Sequence, residues 1–174
     1  MLHIDENEPS AFLIENLDLL PKEGKVLDVA MGAGRNAVCL AQRGYVVDGI
    51  DISQEAIEAA LELAQREGVS INTETADLES GYHLPQDTYD VIICFNYLHR
   101  PLTGQIKNAL RSGGIVIYET FIVDQAQFGR PRNPDHLLKH NELLDMFGDF
   151  RCLHYHEGIY PGPKAVAGIV ALKS

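Results

Sequence analysis

Residues 25–34, Lys25-Val-Leu-Asp-Val-Ala-Met-Gly-Ala-Gly34, decide the fold, because an apolar strand there runs directly into a glycine-containing turn. Residues 35–42 follow as a predicted helix. Glycine lets a backbone turn tightly and approach a ligand closely, and the N-terminus of a helix presents free N–H groups. The stretch therefore predicts a strand, a loop and a helix, with a ligand-binding loop around Gly32 and Gly34. A tight turn that binds no ligand is the structural alternative.

The rest of the chain alternates predicted strands and helices, which is typical of a mostly parallel sheet with helices on both faces. The other predicted helices cover residues 10–20, 53–68, 102–110 and 137–146. The predicted strands cover residues 25–30, 45–50, 69–75, 89–95, 115–121, 150–157 and 165–172. A short turn joins the last two strands, which indicates an antiparallel hairpin. We expect one domain over residues 1–174.

The charge of the chain limits its partners. Its 174 residues carry 14 Lys and Arg against 25 Asp and Glu, which gives a formal net charge of −11. Nucleic acid and anionic membranes are bound largely through basic groups, so we expect neither as a partner. The longest apolar run, residues 91–95, is far too short to cross a bilayer. We expect a cytoplasmic protein.

No metal site is expected from the histidines and cysteines. The three cysteines form no CxxC pair. His154 and His156 share one face of a predicted strand, but two histidines alone do not complete a zinc site. His136 and His140 have helical spacing, yet the residues between them lack the glutamate of a metalloprotease helix.

Polar residues gather where the predicted strands end, which is where ligands bind in such a sheet. These segments are Asp28 to Gly34, Asp51-Ile52, Asp77-Leu78, Asn96 to Arg100 and Glu119-Thr120. Because the carboxyl ends of parallel strands meet at one edge, the segments together predict a binding cleft.

Two acids and one arginine separate two candidate cofactors. The loop Gly32-Ala-Gly-Arg-Asn-Ala37 matches GxGxxA, and Asp51 lies 19 residues after its first glycine, a pattern that both nicotinamide and S-adenosylmethionine binders use. Asp28 just before the loop favours a sulfonium or ammonium over a pyrophosphate. Asp77 is suited to accept a hydrogen bond from an adenine amino group. Only Arg35 lies near the loop as a counter-charge for phosphates. An NAD-dependent oxidoreductase remains the alternative.

The chain resembles the class I S-adenosylmethionine-dependent methyltransferases. The resemblance rests on Val26-Leu-Asp-Val-Ala-Met-Gly-Ala-Gly-Arg-Asn-Ala37, Val47-Asp-Gly-Ile-Asp-Ile-Ser53, Ala76-Asp-Leu78, Leu84-Pro-Gln-Asp-Thr-Tyr-Asp-Val91 and Leu110-Arg-Ser-Gly-Gly-Ile115, in the family's order. It covers roughly residues 25–120. The Gly-Arg-Asn of the loop and the region from Phe128-Gly-Arg-Pro131 to Leu138 are most similar to a small bacterial, tellurite-resistance-like branch. The implied fold is a Rossmann-like, doubly wound α/β sheet of seven strands, order 3-2-1-4-5-7-6.

The resemblance also implies a cofactor site for S-adenosylmethionine. It assigns to that site Asp28, Ala30, Gly32, Gly34, Asn36, Asp51, Ile52, Asp77, Leu78 and Asn96. Asp51 would accept hydrogen bonds from both ribose hydroxyls, and Ile52 would pack on the adenine. Asp77 and Leu78 would contact the adenine edge. The remaining residues would surround the methionine part. Ala30-Met31 stands where the family usually has a glycine, which changes the part of the site around the methionine.

Methyl transfer from a sulfonium depends mainly on positioning, and a base is required only where the nucleophile carries a proton. Tyr97, His99 and Glu119 are the candidate catalytic residues, because they stand at strand ends. Tyr118, Arg130 and Arg132 are the candidate acceptor-binding residues. For His99 and the two arginines, exposure to solvent without a function is the alternative.

The sequence thus favours a methyltransferase that acts on a small-molecule acceptor. No Asn-Pro-Pro-Tyr or Pro-Cys motif occurs at residues 94–98, which disfavours methylation of nucleic-acid bases. Two alternatives stay open. One is the NAD-dependent oxidoreductase, and the other is a non-catalytic sensor that binds S-adenosylmethionine and acts through a partner protein.

Overall fold

The computed structural model describes residues 7–174, so the first six residues of the expected domain lie outside the described part. Seven strands form its sheet: β1 (Lys25–Val29), β2 (Val46–Asp51), β3 (Asn72–Thr75), β4 (Tyr89–Phe95), β5 (Leu110–Phe121), β6 (Arg151–Tyr160) and β7 (Lys164–Leu172). Their order is β3-β2-β1-β4-β5-β7-β6. Strands β1 to β5 are parallel to one another, whereas β7 is antiparallel to both β5 and β6. The predicted α/β class, strand order and antiparallel hairpin are confirmed.

The α-helices of the described residues are α1 (Ala11–Glu15), α2 (Arg35–Gln42), α3 (Gln54–Arg66), α4 (Thr103–Ala109) and α5 (Glu142–Met146). Helix α3 begins where the sequence predicts, because the Ser53 hydroxyl accepts a hydrogen bond from the Ala56 N–H at 3.2 Å. Within residues 7–174, no helix has the length and apolar character needed to cross a membrane.

Strand β4 supplies apolar side chains to both faces of the sheet. Successive residues of a strand point to opposite faces. Ile92 and Cys94 therefore join the core under α4 and α5, whereas Val91 and Ile93 join the core under α1, α2 and α3. With both faces covered, the polar groups of the central strands reach solvent only at their ends.

The predicted helix over residues 10–20 is wrong in length. Helix α1 ends at Glu15, and a 3₁₀ turn, Leu17–Leu19, follows. The side-chain amide of Asn16 donates to the Phe12 carbonyl at 2.7 Å, and its oxygen lies 2.7 Å from His154 Nδ1. An asparagine side chain that competes for backbone groups ends helices readily.

The predicted helix over residues 137–146 is also shorter than expected, because α5 begins only at Glu142. Leu138 instead extends the sheet edge: its N–H donates to the Phe121 carbonyl at 2.9 Å, and its own carbonyl accepts from Val123 at 2.9 Å. Asn141 then adopts a positive φ of 65°. The burial of Leu138 beside β5 therefore stabilises this segment more than the helix that its periodicity predicts.

Candidate cofactor and acceptor site

The carboxyl ends of β1, β2 and β4 meet at one edge of the sheet, because Val29 is paired with Ile50 on one side and Cys94 on the other. Two adjoining cavities open there. The loop cavity, of about 380 Å³, is lined by Asp28, Ala30, Met31, Gly32, Ala33, Arg35, Asn36, Phe95 and Asn96. The strand-tip cavity, of about 230 Å³, is lined by Ala30, Asp51, Ile52, Ala76, Asp77, Leu78, Glu79, Asn96 and Tyr97. All the predicted cofactor residues except Gly34 therefore line one or both cavities.

The two glycines of the loop have different roles. Both have positive φ, 57° at Gly32 and 79° at Gly34. A Cβ on Gly32 would meet no atom within 4 Å, so this glycine faces open space. A Cβ on Gly34 would lie 2.6 Å from the Ala60 Cβ. Gly34 therefore allows α3 to pack closely against the loop and lines neither cavity.

Asp51 connects the tip of β2 to the glycine loop. Its Oδ2 accepts a hydrogen bond from the Gly32 N–H at 2.9 Å, and its Oδ1 accepts one from the Ser53 N–H at 2.9 Å. A carboxylate has about four acceptor positions, so two remain for other donors. Ile52, beside it, is 67% exposed and presents an apolar surface to the strand-tip cavity.

Asp28 is a buried acid at the base of the loop cavity. Its Oδ2 is inaccessible to solvent and has no hydrogen-bond partner among the described residues. Burial raises the pKa of Asp28 to about 8, with a further contribution from the negative charge of Asp51, although Arg35 opposes the shift. An acid that lines a cavity and has one oxygen without a hydrogen-bond partner fits a cationic group of a ligand, such as an ammonium.

Asn36, predicted to line the cofactor site, also holds the segment before α1. Its Oδ1 accepts a hydrogen bond from the Ser10 N–H at 2.8 Å. Asn96 has a positive φ of 57°, and its N–H donates to the Glu119 carbonyl at 3.0 Å. Asn96 therefore stands at a bend between β4 and β5, where it lines both cavities.

A larger cavity adjoins the strand-tip cavity. This arginine cleft, of about 820 Å³, is lined by Glu79, Asn96, Tyr97, Leu98, Thr120, Phe121, Arg130, Pro131, Arg132, Asn133 and His136. It shares Glu79, Asn96 and Tyr97 with the strand-tip cavity. Burial raises the pKa of Tyr97 well above its usual range, and the charge of Glu79 adds to the shift. The Tyr97 phenol is therefore neutral at physiological pH.

The wall of the arginine cleft that carries the two arginines is fixed to the rest of the fold. The Gln125 side chain donates to the Arg130 carbonyl at 3.2 Å and accepts from the Ala165 N–H at 2.8 Å. Arg100 donates to Glu142 through two nitrogens, at 2.7 and 2.9 Å, and to the Leu137 carbonyl at 2.8 Å. These bonds attach residues 123–142 to β7 and to the tip of β4.

The other predicted acceptor-side residues do not line the arginine cleft. His99 Nδ1 lies 3.2 Å from Glu79 and borders a smaller cavity of about 180 Å³. Tyr118 is 2% exposed, and its hydroxyl donates to the Tyr97 carbonyl at 2.7 Å. Glu119 points to the opposite face of the sheet from Tyr118, as neighbouring strand residues must, and lies 2.8 Å from His156. These three residues contact groups of the cleft wall but not the cleft itself.

His136 lines the arginine cleft but was not among the predicted site residues. Its helical spacing to His140 suggested only a metal ligand. Its position four residues after Arg132, on the same Pro-containing loop, is the signal that would have found it. Among residues 7–174, no cluster of three or more His, Cys, Asp or Glu is arranged to hold a metal ion.

Comparison with known proteins identifies the family. Residues 26–114, about half of the chain, match the family described as a methyltransferase domain, and the chain belongs to that family. The ubiquinone biosynthesis O-methyltransferase of Shewanella sp. strain ANA-3 is 34% identical over 101 residues, which are 55% of this chain and 43% of that protein. The ribosomal protein L11 methyltransferase of Dictyoglomus thermophilum is 28% identical over 148 residues, 83% of this chain and 48% of that protein. The chain thus matches less than half of the length of either relative.

Solved structures show the same fold. TehB from Haemophilus influenzae superposes with a TM-score of 0.79 at 20% identity, covering 95% of this chain and 63% of that one. A methyltransferase dependent on S-adenosylmethionine from Mesorhizobium loti superposes with a TM-score of 0.74 at 19% identity, covering 94% and 98%. The chain therefore contains a methyltransferase domain and has the fold of these solved structures, one of which is named as dependent on S-adenosylmethionine.

Proposed function

We propose that the protein transfers the methyl group of S-adenosylmethionine to a small molecule bound in the arginine cleft. The observation that carries this proposal is the shared wall of Glu79, Asn96 and Tyr97 between the strand-tip cavity and the cleft. Ligands in the two cavities would contact the same three residues from opposite sides. Transfer between two bound molecules requires such adjacency, because the reacting atoms must approach to about 3–3.5 Å.

The cofactor would occupy the loop cavity and the strand-tip cavity together. In this proposal Asp28 holds the ammonium group, and Asp51 accepts hydrogen bonds from the ribose hydroxyls. Ile52, Asp77 and Leu78 surround the adenine. When bound, S-adenosylmethionine supplies a methyl group already activated by the sulfonium. The protein residues therefore have to orient the acceptor and exclude water rather than activate the donor.

On the acceptor side, Tyr97, Arg130 and Arg132 would contact the acceptor directly, because they line the cleft. His99 and Tyr118 would act through their contacts with Glu79 and Tyr97. Glu119 would act through Asn96, whose N–H its carbonyl accepts. These three are positioning residues in the proposal.

Two observations support a small molecule over a polymer. The net charge of −11 opposes nucleic-acid binding. One relative is named for ubiquinone biosynthesis, although others are named for ribosomal protein L11 and for small-subunit ribosomal RNA. We also place the protein in the cytoplasm, a proposal that rests on its composition.

Transfer of an isotopic label tests this function against its alternatives. The protein is incubated with S-adenosylmethionine carrying a ¹³C methyl group, together with a cell extract divided into small molecules, protein and RNA. We expect the label to enter a compound of the small-molecule fraction, with release of S-adenosylhomocysteine. Label in protein or RNA alone would overturn the small-molecule acceptor. Tight binding of S-adenosylmethionine without turnover in any fraction would favour the sensor.

A further inference from the structure

We infer that the acceptor is a small organic acid, an apolar body with an anionic group held by Arg130 and Arg132. The inference deepens the proposed function and rests on it, since it concerns what occupies the same cleft. Its evidence is the charge balance, the apolar lining and the fixed backbone of that cleft.

The arginine cleft brings two cationic side chains together with one carboxylate, that of Glu79. Among the described residues, neither Arg130 nor Arg132 has a carboxylate within the 4.0 Å that defines an ion pair. Two uncompensated guanidinium groups in one cavity of a chain with net charge −11 form an anion site.

The single carboxylate of the cleft wall does not cancel these charges. That carboxylate belongs to Glu79, which lies 3.2 Å from His99 and is shared with the neighbouring cavity. The arginines belong instead to the loop that follows β5. An anionic group of the acceptor would therefore sit on the loop side, with the reacting atom directed toward Tyr97 and Asn96.

The rest of the cleft fits an organic body rather than a bare inorganic ion. Leu98, Phe121 and Pro131 contribute apolar surface. The volume of about 820 Å³ lies in the range of pockets that hold organic ligands, roughly 300–1,000 Å³. An inorganic oxyanion would leave most of that apolar surface without a contact.

The arginines are carried by a fixed backbone. Gln125 is only 6% exposed and holds the Arg130 carbonyl on one side and the Ala165 N–H of β7 on the other. Preorganised groups lose less entropy when a ligand binds, so the same contacts give higher affinity. The anion site therefore needs only side-chain movement to form.

Nuclear magnetic resonance of the ¹⁵N-labelled protein saturated with S-adenosylhomocysteine tests the inference. Three probes with the same ring are titrated at millimolar concentration: benzoate, phenyl phosphate and the neutral benzamide. We expect benzoate or phenyl phosphate to shift the Arg130 and Arg132 side-chain signals, with benzamide at least ten-fold weaker. The better anion distinguishes a carboxylate acceptor from a phosphate acceptor.

Substitution of the arginines provides a second test of the anion site. Arg130→Gln and Arg132→Gln should each weaken anion binding roughly ten-fold, because each removes one charged donor from the anion site. Arg151→Gln, at the opposite edge of the sheet, is the matched control. Benzamide binding as tightly as the anions, unaltered anion affinity in the arginine variants, or no anion binding at all would overturn the inference. If S-adenosylhomocysteine itself fails to bind, the proposed function fails instead.

A second inference rests on the orphaned oxygen of Asp28. We infer that cofactor binding releases a proton from Asp28, because its buried Oδ2 has no hydrogen-bond partner among the described residues and the ammonium of the cofactor would supply one. The charged and titratable groups that face Asp28 are Asp51 of β2, Arg35 of α2 and Cys94 of β4. The pKa of about 8 means that Asp28 is mostly protonated at pH 7 before binding.

Calorimetry measures this proton directly, because the apparent enthalpy of binding varies with the ionisation enthalpy of the buffer. S-Adenosylhomocysteine titrated at pH 7 should release close to one proton, and the number should fall toward zero as pH passes 8. 5′-Methylthioadenosine, which lacks the amino-acid part, should release none from Asp28. Asp28→Asn should abolish the release for S-adenosylhomocysteine. Equal proton release for both ligands, or release that persists in Asp28→Asn, would overturn this inference without affecting the assigned cofactor.

Discussion

The backbone N–H of Gly32 donates a 2.9 Å hydrogen bond to the carboxylate of Asp51, so the tip of β2 holds the loop that follows β1. Two residues 19 positions apart in the sequence thus form one structural unit at the edge of the sheet. Their contact gives Asp51 a structural role in addition to the cofactor role that we propose. Experiments on Asp51 must therefore separate stability from binding.

Asp51→Ala is expected to weaken S-adenosylhomocysteine binding ten-fold or more, because each charge-assisted hydrogen bond to a hydroxyl contributes roughly 1.5–3 kcal/mol. The variant should also lose about 1 kcal/mol of stability with the bonds to Gly32 and Ser53. Calorimetry and thermal unfolding measure the two effects separately. Asp18→Ala, an exposed acid in the turn after α1, is the control. If Asp51→Ala has a lower melting temperature but normal affinity for S-adenosylhomocysteine, Asp51 only stabilises the loop.

The two loop glycines should respond differently to alanine. Gly34→Ala should destabilise the protein by about 1–3 kcal/mol, since its Cβ would overlap Ala60 at 2.6 Å. Gly32→Ala should cost only about 1 kcal/mol, the usual penalty for a positive φ, but should reduce cofactor affinity by placing a methyl group in the loop cavity. Gly44→Ala, with positive φ and nothing within 4 Å, is the control for backbone strain. Urea unfolding with calorimetry checks both, and equal stability losses at all three positions would contradict the packing role of Gly34.

The pH dependence of stability should reveal Asp28. Its folded pKa of about 8 lies above the ordinary aspartate value of 3.8, so the folded state holds a proton that the unfolded state loses between those values. Its contribution to stability is therefore fully present below pH 3.8 and is lost as pH rises toward 8. Asp28→Asn should remove that loss and raise the melting temperature at pH 8 relative to the wild type, with a much smaller difference near pH 4. A variant less stable than the wild type at pH 8 would contradict the claim that burying the ionised Asp28 carboxylate destabilises the fold.

Arg100 should control the mobility of the loop that carries the arginines. Arg100→Lys removes the two-nitrogen contact with Glu142, which a single ammonium cannot reproduce. We expect faster hydrogen exchange in residues 134–142 and little change elsewhere. Arg111→Lys, which alters a more exposed pair with Asp90, is the matched control. Unchanged exchange in that segment would mean that burial of Leu137 and Leu138 alone holds the loop.

The sequence predicted the central sheet well, and the structure brings the predicted cofactor residues together at one edge, because both follow from local patterns. Buried parallel strands are continuous apolar runs, and their ends are marked by glycine or acid, as at Asp51. The acceptor side was predicted less well. Whether Tyr118 or Thr120 faces the cleft depends on the register of β5, and Leu138 joins the sheet edge although its periodicity is helical. Such tertiary contacts leave no signal in the local sequence.

The most direct test of this account is calorimetric titration of the purified protein with S-adenosylhomocysteine and, separately, with NADH. We expect S-adenosylhomocysteine to bind in the micromolar range, which corresponds to about −8 kcal/mol, and NADH to bind far more weakly, because Asp28 can pair with an ammonium but offers no positive charge to a phosphate. Tighter binding of NADH than of S-adenosylhomocysteine would contradict the cofactor site proposed at the ends of β1, β2 and β4.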